Sequence, residues 1–190
     1  MTDQTLTAAD FRDPAVLLSG DVDYEMYRSF RDQLAAAPAE GLVVCELSTL
    51  GGDPEVARMM GEDIRFHSDL EAAQRRFVFL GKAVVYSAGV TFMSFFARQN
   101  RFLTRGSRLM IHERKMSKDV ELRGPLTKCL ATAEAAVNEL KASIAMQEEG
   151  FANLVQGSSV TLEEVIQRAP TNWYVEAQEA KALGLVEAVL

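Results

Sequence analysis

The chain has 190 residues, 48% hydrophobic and 25% charged, with a net charge of −7. That length and balance fit one soluble globular domain with a core of its own, and the acidic surplus argues against a nucleic-acid groove or an anionic membrane surface as partner. Two cysteines and two histidines form no metal-ligand cluster in the sequence, and no apolar run approaches the length of a membrane span.

Residues 1–14 read as a polar, mobile arm. They have neither a basic n-region nor an apolar core, so no signal peptide is expected. Val16-Leu17-Leu18 reads as a first strand. Asp21 and Asp23 are both candidate caps for a helix to about Ala37, with Tyr27, Phe30 and Leu34 on one face. Leu42 to Leu47 is a second strand, nearly all apolar, as a parallel sheet covered on both faces requires. Ser48 to Gly52 is a loop. Asp53-Pro54 then opens a helix, Asp as cap and Pro in the first turn, with Val56, Met59, Met60 and Ile64 inside. His67 falls on a polar return over Arg65 to Arg76 and reads as a solvated side chain. Phe77 to Tyr86 is a third strand, interrupted only by Gly81 and Lys82. Ser87-Ala88-Gly89 follows, then a buried helix over Val90 to Phe96. Leu109-Met110-Ile111 reads as a short strand that ends at His112. Strand and helix alternate, which predicts an α/β fold with mainly parallel strands and crossover helices. In such sheets ligands gather beyond the carboxyl ends of the strands. Gly51-Gly52 and Ser87 both fall at such ends. Cys45 and Cys129 lie in segments that read as buried and are expected to be reduced thiols in a cytoplasmic protein.

After His112 the chain is polar through Asp119. Gly124-Pro125 then opens the longest helical pattern. Leu126, Leu130, Ala133, Val137, Leu140 and Ile144 repeat at three and four, and the pattern resumes at Phe151 and Leu154. About thirty residues of helix span roughly 45 Å, more than a domain of this size needs for its core. Half of that length is expected to project; the plainer reading is a core helix bent at Gly150. Gly157-Ser158-Ser159 ends it. Thr161-Leu162-Glu163-Glu164 is a capping-box pattern for a short helix to about Arg168. Ala169 to Tyr174 reads as a loop, Glu176 to Leu183 as a last helix stopped by Gly184, and Leu185 to Leu190 as a closing strand.

A serine where a strand turns into a helix is exposed by the turn, and the free N–H groups of the helix start face any negative charge that develops beside it. The plain alternative is a serine that only caps the helix and a histidine that merely sits at a strand end. Ser and His meet in space and not at a fixed separation, so spacing alone does not decide. Four stretches add to it: Ser87-Ala88-Gly89 after an apolar strand, Arg108-Leu109-Met110-Ile111-His112 with its His 25 residues on, Ser48-Thr49-Leu50-Gly51-Gly52 upstream, and Glu179-Ala180 with Gly184-Leu185-Val186-Glu187 at the end. Together they resemble the Clp protease proteolytic subunit family, the ClpP-type serine peptidases, over roughly Val16 to Leu190.

That resemblance implies a ClpP/crotonase-like α/β fold of repeated β-β-α and βα units, mainly parallel, as one domain over 1–190. A long handle helix would project from the region 115–157. The implied activity is a serine endopeptidase working inside an oligomeric ring chamber, the proteolytic subunit of an ATP-dependent protease. Ser87 would be the nucleophile and His112 the base. The backbone N–H groups of Gly52 and Ala88 would form the oxyanion hole. Asn172 stands where the family has its triad Asp. An Asn carbonyl can accept from the imidazole, but it cannot supply charge, and an Asp-to-Asn change costs roughly ten-thousand-fold in a serine protease of another fold. Asp119 and Glu113 are alternative orienters. No cofactor or metal is implied. The partners implied are further copies of the chain, in a heptamer or stacked rings joined through the 125–156 helix, peptide substrates, and, because no Walker pattern occurs, a separate AAA+ unfoldase ATPase. Two other departures stand out. Leu50 replaces a family Pro, which is expected to loosen that loop, and the segment from Glu113 to Arg123 is charged and lacks glycine where the family has a Gly-rich strand along the bound peptide. Two other readings follow: a catalytically impaired, structural or regulatory paralogue, and an acyl-CoA enzyme of the crotonase fold, which uses the same paired backbone donors.

Overall fold

A computed structural model describes residues 6–71 and 74–190. Three strand–helix pairs come first, as the alternation predicts: β1 (Val16–Ser19) and α1 (Tyr24–Ala36), β2 (Gly41–Thr49) and α2 (Pro54–Glu71), β3 (Arg75–Tyr86) and α3 (Ala88–Ser94). β4 (Arg101–Leu103), β5 (Arg108–Ile111), α4 (Leu126–Val155), α5 (Leu162–Arg168), β6 (Trp173–Glu176), α6 (Ala177–Ala182) and β7 (Ala188–Val189) complete the chain. The helix starts are set by side chains. Asp23, not Asp21, caps α1, its carboxylate accepting from the N–H groups of Glu25 and Met26 at 2.9 and 2.8 Å. Asp53 caps α2 by accepting from Glu55 at 2.8 Å, and Thr161 caps α5 by accepting from Glu164 at 3.1 Å.

The sheet runs β1-β2-β3-β4-β7, every pair parallel. β3 is long enough to serve two neighbours on one side. Phe79, Leu80 and Gly81 pair with β4, and Val84, Val85 and Tyr86 pair with β5. Between them Ala83 takes a left-handed φ of 57°, and the register with β2 slips between Leu47 and Thr49. The irregularity carries the last turn of β3 off the main sheet and onto β5, and this is what brings the ends of those two strands together. β6 lies antiparallel on β5.

Alternation along the strands divides the core. Val43, Cys45, Leu47, Phe77 and Phe79 face the helices, where Phe79 and Phe92 lie 6.2 Å apart. Val44, Val78, Leu80 and Phe102 face the other side, which is covered by Phe11. That last contact corrects the polar arm expected over 1–14. Met1 to Thr5 lie outside the described residues, but Ala8–Phe11 forms a 3-10 turn, and Phe11 is buried with its ring 4.8 Å from Phe102. A large aromatic side chain beside bare apolar sheet is better buried than free.

Several boundaries move. α2 continues through most of the expected polar return, and His67 is half-buried with its ring 6.2 Å from that of Phe77. β4 and β6 stand where a loop or no element was expected, and α3 starts at Ala88 rather than Val90. Cys45 is buried, and burial pushes its thiol up to about 12; Cys129, expected inside, is half-exposed on α4. α4 runs unbroken for 30 residues through Gly150. No residue from Leu126 to Gly150 is buried, and Leu126 is 87% exposed; its first buried residue is Phe151. The long helix projects, and the bent core helix is not seen. Among the described residues no helix is long and apolar enough to cross a membrane.

Candidate active site

Ser87 occupies the junction of β3 and α3 with φ 54° and ψ −113°. A capping serine is extended and accepts a bond from the first turn; Ser87 is neither, and its side chain caps nothing. A non-glycine residue at positive φ persists only where its surroundings over-determine it. Here the Ser87 N–H donates to the Met110 carbonyl at 2.8 Å, while its own carbonyl accepts from Val90 at 2.9 Å. The pairing of Tyr86 with Met110 sets the ends of β3 and β5 side by side. One and two residues further on, Ser87 and His112 turn toward each other, with Oγ and His112 Nε2 2.7 Å apart. With Nε2 unprotonated, the hydroxyl donates to it. Burial lowers the His112 pKa and the Lys115 charge adds to the fall, with the Glu113 main chain pulling the other way. The neutral ring, the form able to take a proton, is therefore favoured near neutrality.

The glycine pair closes over this junction. Gly51 and Gly52 have φ of 122° and 144°. A Cβ on Gly51 would lie 2.9 Å from that of Ser87, and one on Gly52 would lie 2.4 Å from the Val22 carbonyl. Only glycine fits either place. Val22 donates to Gly51 at 2.9 Å and accepts from Asp53 at 2.7 Å. This bridge leaves the N–H of Gly52 itself out of the pairing. Ala88 is the first residue of α3, so its N–H has no partner inside the helix. Thr49 ties the loop that Leu50 was expected to loosen: its hydroxyl donates to Gly20 at 2.6 Å and accepts from Gly51 at 3.0 Å. Gly52, Ser87, Ala88 and His112 line one cleft of about 180 Å³.

Asn172 does not join them. It lies next to His112 in the backbone, because β5 pairs Ile111 with Trp173 and one more step of that register sets Asn172 opposite His112. However, it closes the 3-10 turn Ala169–Thr171 with a left-handed φ of 59°, and it is exposed. The His112 Nδ1 atom is buried and has no hydrogen-bond partner among the described residues. The expected orienting bond is therefore missing, and among the described residues neither the Glu113 nor the Asp119 carboxylate takes its place; only the Glu113 main chain acts on the ring. The turn is the physical reason: Asn172 ends it in a left-handed conformation, outside the β5–β6 ladder that begins at Trp173.

No family model and no curated protein matches the chain. Among solved structures it is similar to a point mutant of ClpP1 from Listeria monocytogenes, at 20% sequence identity over 92% of this chain and 90% of that one, with a TM-score of 0.71. The chain has the ClpP fold.

On this ClpP fold the segment after His112 is pinned rather than offered as a strand edge. The Arg114 N–H donates to the Gln147 side chain of α4 at 2.7 Å. Its guanidinium pairs with Glu55, and Arg58 of α2 pairs with Glu149 of α4 at 3.2 Å. Arg58, Arg114 and Lys115 line the cleft beside the buried Val90, Ile111 and Phe151. The part played by Met146, Gln147 and Phe151 was not legible beforehand. Helical periodicity says that a face is inward, not which cleft it meets.

Proposed function

We propose that the chain is a ClpP-type serine endopeptidase, the proteolytic subunit of an ATP-dependent protease. The observation that carries this reading is the 2.7 Å contact between His112 Nε2 and the Oγ of a serine held at positive φ. Ser87 Oγ attacks the scissile carbonyl carbon while His112 Nε2 takes its proton. The carbonyl oxygen gains charge and is met by the N–H groups of Gly52 and Ala88. His112 then returns the proton to the leaving amine, and a water repeats the sequence on the acyl-enzyme. The assembly in this reading is a ring or pair of stacked rings of like subunits, joined through the exposed apolar stripe of α4, in the cytoplasm. A separate AAA+ ATPase supplies unfolded chains. Treatment of the protein with a fluorophosphonate or β-lactone probe is expected to label the wild type and not Ser87→Ala. Failure to label the wild type under any assembly condition would falsify the reading.

The unpartnered Nδ1 of His112 favours a second reading, a catalytically impaired paralogue that serves the assembly. It predicts that the wild type resists the probe while still forming rings.

A further inference from the structure

Arg101 opens β4 and is 2% exposed, with no carboxylate partner among the described residues. Its Nε donates to the Phe96 carbonyl at 2.8 Å. Nη1 donates to Leu154 at 2.7 Å and to Leu185 at 3.4 Å. Nη2 donates to Ser94 at 2.9 Å and to Asn153 at 3.0 Å. Every one of the five N–H donors of a guanidinium is thus used on main-chain oxygen. Burying a cation without a counter-ion is costly, and the ends of two helices offset it. Ser94 closes α3, and Asn153 and Leu154 belong to the last turn of α4, where unpaired carbonyls and the helix dipole carry negative charge. Burial and the nearby Arg98 lower its pKa to about 10, which leaves the group protonated at neutrality.

These two helices flank the cleft. α3 starts immediately after Ser87 and contributes Val90 and Thr91; the end of α4 contributes Phe151 and Leu154. A guanidinium is a flat fork of fixed dimensions, so one that bonds both helix ends sets the distance between them. We propose that Arg101 is a positioning residue: it spaces the helix behind the nucleophile from the α4 wall of the cleft and passes the placement of the projecting helix to Ser87. This rests on Ser87 being the nucleophile. Lysine keeps the charge but donates from a single point and cannot span all the carbonyls.

The test uses the full chain with Arg101→Lys and Arg101→Gln. Active sites are titrated with a fluorophosphonate, and the acylation rate constant per titrated site is measured along with KM and kcat on a fluorogenic peptide. Displacements on the order of 1 Å cost up to a hundredfold, so Arg101→Lys is expected to lower the per-site acylation constant at least about tenfold and to raise KM, at unchanged assembly mass. Arg101→Gln is expected to fall further; if it does not fold, the lysine variant decides. A residue that merely stabilises the core would reduce the number of titrated sites and leave the per-site constants at wild-type values, and that result overturns the proposal while leaving the peptidase reading intact. Absence of acylation in the wild type overturns both.

Discussion

A serine that caps a helix and a serine that attacks a carbonyl differ first in their backbone, and at Ser87 the positive φ and the idle side chain are not those of a cap, which supports the proposed nucleophile. The chemistry there is set by what surrounds His112. Its Nε2 is engaged with Ser87, while its Nδ1 has no side-chain partner; the Glu113 main chain favours the protonated ring, but no carboxylate among the described residues acts on it. Asn172→Asp introduces that charge one register step away, in a conformation Asp tolerates. It is expected to raise kcat, but by far less than the roughly ten-thousand-fold an orienting carboxylate is worth, because the residue is exposed and not bonded to the ring. The pH profile gives the sign. In the proposed mechanism acylation needs neutral His112, whose pKa burial lowers, so the acid limb of the wild-type rate is expected below the ordinary imidazole range. A carboxylate favours the protonated ring, and the limb in Asn172→Asp should move to higher pH. Turnover of a fluorogenic peptide from acid to neutral pH checks both; an unmoved limb would mean that the side chain at 172 stays turned away. That Ser87, Gly52, Ala88 and His112 meet at one cleft was legible in the sequence, because each follows a strand and a parallel sheet gathers strand ends. The direction of Asn172 was not, because it depends on a three-residue turn with no strong signature. Arg101 was not legible either, since an arginine inside Arg101-Phe102-Leu103 looks like a strand-edge charge until α3 and α4 close around it.

Among the elements, long periodic segments were readable and short ones were not. α4 shows its period over thirty residues, enough to predict its length and its projection. β4 and β6, of three and four residues, are too short for alternation to stand out, and both exist because β3 and β5 offer them an edge. The stripe on α4 also separates folding from association. Leu140 is 47% exposed and touches no core, so Leu140→Glu should change the stability of the isolated fold by no more than about 0.5 kcal/mol. In an interface made through that stripe, losing a buried leucine side chain removes about 1.5–3 kcal/mol, roughly ten- to a hundredfold in association. Sedimentation at several concentrations, paired with chemical unfolding of the dissociated chain, separates the two effects. Assembly that survives Leu140→Glu unchanged would place the contact elsewhere.

At the scale of the whole molecule, the sheet has one thick side and one thin one. The helix side holds the larger core and the cleft; the other side is closed by the short cluster of Phe11, Val44, Val78, Leu80 and Phe102, beside a Lys82–Glu46 ion pair at 2.6 Å. The mainly parallel sheet was readable from the run of alternating strands and helices, but the cover on the thin side was not, because Phe11 is one aromatic residue in an otherwise polar stretch. That residue is the thin side's lid, and removing it exposes the apolar sheet beneath its ring. Phe11→Ala is therefore expected to cost about 3 kcal/mol, which for a chain of this size lowers Tm by roughly 6–12 °C. Ser87 and His112 lie beyond the strand ends and draw their contacts from the helix side, so the acylation rate of the folded variant at 25 °C should stay at the wild-type value. Calorimetry together with probe labelling measures the two in one preparation. A Tm that holds while labelling falls would reverse the assignment and make the N-terminal turn part of the site's support rather than of the fold's.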